Sequence, residues 1–305
     1  MIHYLEHSRI DKKKWDECIR RSANGMVYAN SWYLDVVSPA WNALIKGDYQ
    51  SVFPLTWRKK YGIHYLFQPF FTQQLGIFSA ENKFSEKTTQ EFLNSIPTHY
   101  RFIEIQLNVL NTGTLKNFET TGRLTHHLDL NQSPEKIQAV YAENLKRNLK
   151  RALKNKIELS SDIPPSEIIR LFRKNKGKKT DQLKNKDYEM LLQLIHEADH
   201  RKLVTVLGAK TAAGNWCAGA LFLESYHEYI FFFSAANDAA RNSGAMSLLI
   251  DHFVHLHSRE NMNLDFEGSM DKNLARFYKG FGSKEIVYLQ VRKNRLPSYM
   301  KWIKR

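Results

Sequence analysis

Apolar positions in this chain alternate between short continuous runs and stripes at helical spacing, and that alternation predicts a mixed α/β protein. Residues 228–235 are continuously apolar and rich in aromatics, which suits a buried strand. A polar stretch over 237–246 follows, after which Leu248, Leu249, His252, Phe253 and Leu256 recur at the spacing of one helix face. A second strand over 263–269, an aromatic helix over 274–282 and a last strand reaching residue 291 complete this half. The pattern occurs twice. Residues 41–46, 51–57 and 63–67 read as three strands joined by tight turns at Gly47-Asp48 and Tyr61-Gly62, as do 203–210, 216–224 and 228–235. Each meander is followed by a loop, a helix (90–95; 245–258) and a strand (101–108; 261–266), which predicts a duplicated unit.

Between the copies, Ser133-Pro134-Glu135 reads as a helix start, with Ser as cap and Pro at the first helical position. Leu145, Leu149 and Leu153 then fall on one face, while Lys146, Arg147, Lys150, Arg151 and Lys154 cover the remainder. The expected division is therefore 1–131, a basic connecting helix over 132–156, and 157–305. Charge sharpens this picture. The net charge is +14, and residues 144–186 hold fourteen Lys and Arg against four Asp and Glu, so ten of the fourteen excess charges lie there. A second basic cluster, 173–179, reads as a helix end and loop. Such runs are either solvated faces or the footprint of a polyanion such as tRNA, another nucleotide-linked precursor or an anionic membrane surface.

Length and composition fit a two-lobe enzyme. The chain has 305 residues, enough for two cores, and 43% hydrophobic content excludes disorder over most of it. No apolar run is long enough to span a bilayer, and the first residues carry no apolar signal core. Cys18 and Cys217 stand in no metal-ligand spacing, so a reduced cytoplasmic protein without metal is expected. Adjacent His126 and His127 point to opposite strand faces and are expected to be structural, while His196 and His200 at i, i+4 are expected to be a solvated or partly buried pair without a third ligand. No nucleophile elbow, Walker loop or dinucleotide fingerprint is present.

Three places carry candidate chemistry. Arg241, Asn242, Ser243, Gly244 and Ala245 open a helix, where free N–H groups and the helix dipole favour anionic oxygens. The same residues also suit an ordinary strand-to-helix turn, with Gly244 for close packing. Asp265 and Glu267 share one face by the two-residue strand period, so one of them can face a pocket as a base, or both can lie on a solvated edge. Lys279 stands among Phe277, Tyr278 and Phe281 on the short aromatic helix, and Tyr278 and Lys279 complete the candidate catalytic set.

The order of elements resembles the GNAT acyltransferase superfamily. The stretch Leu264-Asp265-Phe266-Glu267-Gly268-Ser269, followed by Arg276-Phe277-Tyr278-Lys279-Gly280-Phe281-Gly282, is similar to the second lobe of the Fem-type (FemAB-like) aminoacyltransferases. With the basic helix 144–152, the resemblance covers residues 133–297. It implies an α/β (α+β) fold of two tandem GNAT-like lobes, each a mixed, mostly antiparallel sheet flanked by helices, the first degenerate and the second holding the donor site. It implies acyl-CoA or aminoacyl-tRNA as donor, and a transfer role for Lys279. Two departures stand out. Met246 occupies the last position of the pyrophosphate loop, where the family has a small residue, and residues 31–35 lack the lysine expected for a peptidoglycan-precursor acceptor. In the first copy the corresponding loop, 68–76, carries Pro69 and is expected to present Phe70, Phe71, Gln73 and Gln74 to the acceptor.

The expected function is acyl or aminoacyl transfer to a primary amine, with Glu267 before Asp265 as base, Arg241 to Ala245 as donor phosphate site, and Lys279 stabilising the leaving group. The alternative is a non-catalytic module that binds RNA or another polyanion on a decayed transferase scaffold.

Overall fold

The computed structural model describes residues 1–175, 177 and 183–297. By internal contacts the chain forms two compact units, residues 1–123 with 287–305, and residues 124–286. The expected cut at residue 131 lies eight residues beyond the first boundary, and the end of the chain groups with the first unit. Both units are mixed α/β, with mostly antiparallel strands and a parallel pairing in each.

In the first unit Ile2–Leu5, Asn42–Lys46, Ser51–Leu55 and Phe78–Ser79 pair in that order. The strand expected over 51–57 ends at Leu55, and Trp57–Lys60 pairs instead with Ile63–Leu66. Ile63–Leu66 runs parallel to Tyr100–Gln106, which pairs on its other edge with residues 290–294. The unit is therefore completed by the last strand of the chain, a long-range pairing that no local periodicity encodes. Leu44, Phe53, Leu66, Phe92, Ile103 and Val291 lie in its core. The helix Glu86–Asn94 starts where Ser85 accepts the Thr88 N–H.

In the second unit the meander Val204–Lys210, Trp216–Ser225 and Glu228–Ala236 appears where the sequence predicts it. The sheet continues through the short parallel strand Asn263–Asp265, which pairs antiparallel with residues 127–129 of the strand Glu119–Asp129. One core packs Leu128, Leu145, Phe222, Phe231, Phe253 and Phe266 together. Phe222 and Phe253 stack with centroids 3.7 Å apart, which joins the sheet to the helix Ala245–Leu256.

The connecting helix is two helices, Pro134–Ala139 and Glu143–Lys154. The break at 140–142 buries Tyr141 and turns the Ala142 N–H to the Gly280 carbonyl, 2.9 Å away. Leu145 is buried as expected and Leu149 packs on the core, but Leu153 is 67% exposed and Ala152 takes the buried position. A 100° step per residue places Ala152, not Leu153, on the stripe of Leu145.

Candidate functional site

The site follows from a parting of strands. Glu228–Ala236 and Asn263–Asp265 pair in parallel only through Glu228–Asn263, Tyr229–Leu264 and Ile230–Asp265. Beyond Ile230 a cavity of about 520 Å³ opens, walled by residues 231–236 on one side and by Phe266, Glu267 and Gly268 on the other. Its volume lies in the range of small-molecule sites. On the other edge of Glu228–Ala236 the register shifts, so that Leu221 faces Phe233 and Phe222 faces Phe231. Phe232 is the extra residue of this bulge, and bulges re-aim side chains beside functional sites. Phe231, Phe232 and Phe233 consequently all line the cavity, although a regular strand would turn alternate ones away.

The helix Lys272–Lys279, capped where Asp271 accepts from Asn273 and Leu274 N–H, contributes Leu274, Phe277 and Tyr278. Tyr278 stacks on Phe266 with centroids 4.7 Å apart and planes at 17°. Burial, then the charges of Glu267 and Asp265, raise the Tyr278 phenol above its usual range, so it stays protonated.

The expected phosphate segment divides. An extra helix, Asp238–Ser243, stands between the strand and the helix Ala245–Leu256, begun by Asn237 accepting the Ala240 N–H. Arg241 and Gly244 line the cavity, whereas Asn242 is exposed outside it, Ser243 is buried with its hydroxyl on Ala240 O, and Ala245 is buried in a core. Arg241 pairs with Asp238 and keeps a 57% exposed side chain. Gly244 sits at φ +82°, and a Cβ there would lie 2.4 Å from the Asn148 carbonyl oxygen. The close approach it permits is therefore that of the helix Glu143–Lys154. The start of Ala245–Leu256 has no side-chain cap, which leaves its first N–H groups without partners inside the helix. Met246 is half-buried and also lines the cavity, beside Ser247 and Asn148.

The two candidate carboxylates do not share a face. The strand ends at Asp265, and Glu267 adopts φ +51°, so the period-two expectation lapses before it reaches Glu267. Glu267 lines the cavity. Asp265 is buried away from it, and its Oδ1 accepts from the Thr125 hydroxyl and from the Glu267 N–H at 2.8 Å. Lys279 lies outside the lining, 55% exposed and paired with Glu285 at 3.0 Å.

A second cluster, half-buried, includes Asp265. His127 Nε2 lies 3.2 Å from Asp265 Oδ2 and 4.0 Å from Glu228 Oε2, paired by charge without an aligned hydrogen bond. Burial lowers the His127 pKa, but the facing Asp265 and then Glu228 outweigh it, and the net shift is upward. Burial, then the Asp265 charge, push Glu228 up to about 8. The three donor atoms fall within 4.8 Å of one another, a spacing that also admits a divalent cation. The adjacency of His126 and His127 in sequence does not reveal this cluster. His126 is buried on the opposite face, with Nδ1 2.7 Å from the Ser269 hydroxyl. The register partners were the missing signal, since Asp265 faces His127 and Glu228 lies two residues from Asp265's other partner, Ile230.

On the helix Glu143–Lys154, Arg147, Lys150, Arg151 and Lys154 are exposed and Lys146 pairs with Glu143 at 3.1 Å. Of the second basic cluster, Arg173 and Lys174 end the helix Pro165–Lys174, while Lys176, Lys178 and Lys179 lie outside the described residues. His196 and His200 are exposed, with Nε2 atoms 3.0 Å apart. Among the described residues no helix is long and apolar enough to cross a membrane.

No protein-family model matches the sequence, and no curated protein matches it. Solved structures do. FemX superposes with a TM-score of 0.67 at 11% identity, over 99% of this chain and 100% of its own. L-PGS from Bacillus licheniformis gives 0.57 at 10% identity, over 96% and 95%. The C-terminal domain of a protein described as a lysylphosphatidylglycerol synthetase, from Agrobacterium fabrum, gives 0.55 at 11% identity, over 93% and 92%. At these identities the likeness is one of architecture, and it extends over nearly the whole chain: the protein has the Fem-type, GNAT-like fold.

Proposed function

We propose that this chain transfers an acyl or aminoacyl group from an activated donor to a primary amine, with the donor's reactive end in the cavity of the second unit. The observation that supports this most is the parting of two parallel strands after the Ile230–Asp265 pair, which opens a cavity lined by both Arg241 and Glu267. In this reading the amine nitrogen attacks the donor carbonyl carbon. The new C–N bond forms as the bond to the donor's sulfur or ribose oxygen breaks. Glu267 takes the amine proton, and Tyr278, kept neutral by burial, supplies one to the leaving group. Arg241 and the N–H groups opening Ala245–Leu256 hold donor phosphate. Asp265 is a positioning residue, because its carboxylate holds the Glu267 N–H. Lys279 acts from outside the cavity wall, through its charge alone.

Acyl-CoA and aminoacyl-tRNA both fit this chemistry, and two features support the tRNA. Asn148 lines the cavity from the helix that also exposes Arg147, Lys150, Arg151 and Lys154. Met246 narrows the room for a coenzyme A pyrophosphate. Likeness to a lysylphosphatidylglycerol synthetase supplies an aminoacyl precedent, and an aminoacyl-tRNA donor would place the reaction in the cytoplasm. The exposed basic helix also supports a second reading, a polyanion-binding module without turnover.

The test is amide formation from a panel of acyl-CoA and aminoacyl-tRNA donors with amine acceptors. Glu267→Gln should lower turnover about 10²–10⁴-fold, and full turnover in that variant would remove Glu267 as base. No product from any donor would favour the binding module, provided RNA binding weakens with salt at a log–log slope of about −0.7 per neutralised phosphate.

A further inference from the structure

We infer that the group delivered into this cavity is bulky and apolar, an aromatic or branched aminoacyl group or a medium-length acyl chain, and not a charged one. The inference rests on the transferase reading for the identity of the site, and on the chemistry of the cavity wall for its content.

The wall is dominated by aromatic carbon. Phe231, Phe266 and Tyr278 contact one another, with centroids 6.2 Å, 6.3 Å and 4.7 Å apart, and Phe277 continues the row at 5.8 Å from Tyr278. Across the bulge, Phe233 packs on Phe172 at 4.9 Å. Leu274 and Met246 add aliphatic surface. Among the described residues, the charged side chains in the lining are Arg241, paired with Asp238, and Glu267. A lysyl side chain would lose its hydration among phenylalanines, and the carboxylate in this lining is the one the reaction uses as base. An acetyl group would cover little of this aromatic wall. A phenylalanyl, leucyl or hexanoyl group instead exchanges water for carbon contacts, worth about 0.8 kcal/mol per methylene, or roughly four-fold in affinity.

The test reads equilibrium binding separately from turnover. One arm measures Kd for acetyl-, butyryl-, hexanoyl- and octanoyl-CoA, and the other for phenylalanyl-, leucyl-, lysyl- and aspartyl-tRNA, each against the uncharged carrier. The expected result is tightening of roughly three- to four-fold per methylene in the first arm, or at least ten-fold preference for phenylalanyl and leucyl over lysyl and aspartyl in the second. The arm that responds identifies the carrier. Equal affinities throughout both arms, or tighter binding of the charged groups, would overturn the inference. Leu274→Glu and Phe277→Glu, on half-buried positions of Lys272–Lys279, should each flatten the dependence, while the wild-type series decides the matter without them. Apolar selectivity without amide product would sink the transferase reading and leave this inference standing. Product formed equally well from lysyl or acetyl donors would do the reverse.

Discussion

The two units part company at the same step of the same pattern. In each, a short strand runs parallel to the strand that follows the next helix: Ile63–Leu66 beside Tyr100–Gln106, and Glu228–Ala236 beside Asn263–Asp265. In the first unit the space beyond that pairing is re-bridged by the chain itself. Gln68 Oε1 accepts the Gln106 N–H at 2.9 Å, the Leu75 N–H reaches Gln106 O at 3.0 Å, and Leu75 bridges Leu107 in parallel. The loop expected to present side chains to an acceptor is largely occupied with itself: Gln74 is buried and donates to Gln73, the Phe71 carbonyl accepts from Tyr33, and Phe70 is the exposed member. In the second unit nothing comparable closes the gap among the described residues, because the Phe266 N–H turns to His126 O and the bulge at Phe232 bends the strand. A repeated frame thus carries a sealed version and an open version of one feature, and the proposed chemistry is assigned to the open one.

That contrast can be broken from either side. The largest effect is expected for Phe266→Ala, which removes the ring stacked on Tyr278 and should cost about 3–5 kcal/mol in denaturant unfolding while weakening donor binding. Gly244→Ala comes next. Its Cβ would meet the Asn148 carbonyl at a left-handed φ, so a loss of about 1–3 kcal/mol is expected, visible as a lower Tm even without donor. Gln68→Ala in the sealed copy should cost about 1–2 kcal/mol by stranding the Gln106 N–H, with no change in donor affinity. If Gln68→Ala instead abolished donor binding, the division of labour between the copies would be wrong.

A pH dependence, measured with chelator present, tests the charged cluster beside Asp265. Glu228 and His127 both have folded pKa values above their unfolded ones. Between those values the folded state holds protons that the unfolded state has released, so stability falls as pH rises. The Glu228 contribution is intact below its unfolded pKa of about 4.5 and is lost as pH rises through about 8. Thermal unfolding from pH 5 to 9 should show this decline, and Glu228→Gln should flatten it. A steeper decline in Glu228→Gln would contradict the assignment.

The sequence carries much of this frame. Continuous apolar runs located the meander strands to within a residue or two, since burial on both faces leaves no room for polar interruptions. A helical stripe located Ala245–Leu256, which buries one face. What it left hidden depends on partners far along the chain. Residues 290–294 complete the first unit beside Tyr100–Gln106, a pairing across some 190 positions. His127, Glu228 and Asp265 meet through strand register. Glu267 entered the cavity wall by leaving the extended conformation on which the face argument depended. Arg241 and Gly244 were legible as neighbours at a helix start and both line the cavity, but the need for Gly244 comes from the neighbouring helix.

The most direct test of the central claim is hydrogen exchange of backbone amides with and without a donor that is turned over. Binding in the open copy should slow exchange at residues 231–236 and at Ala245, Met246 and Ser247, and leave residues 68–76 unchanged. Protection confined to 68–76, or none at 231–236 with a donor that yields product, would contradict it.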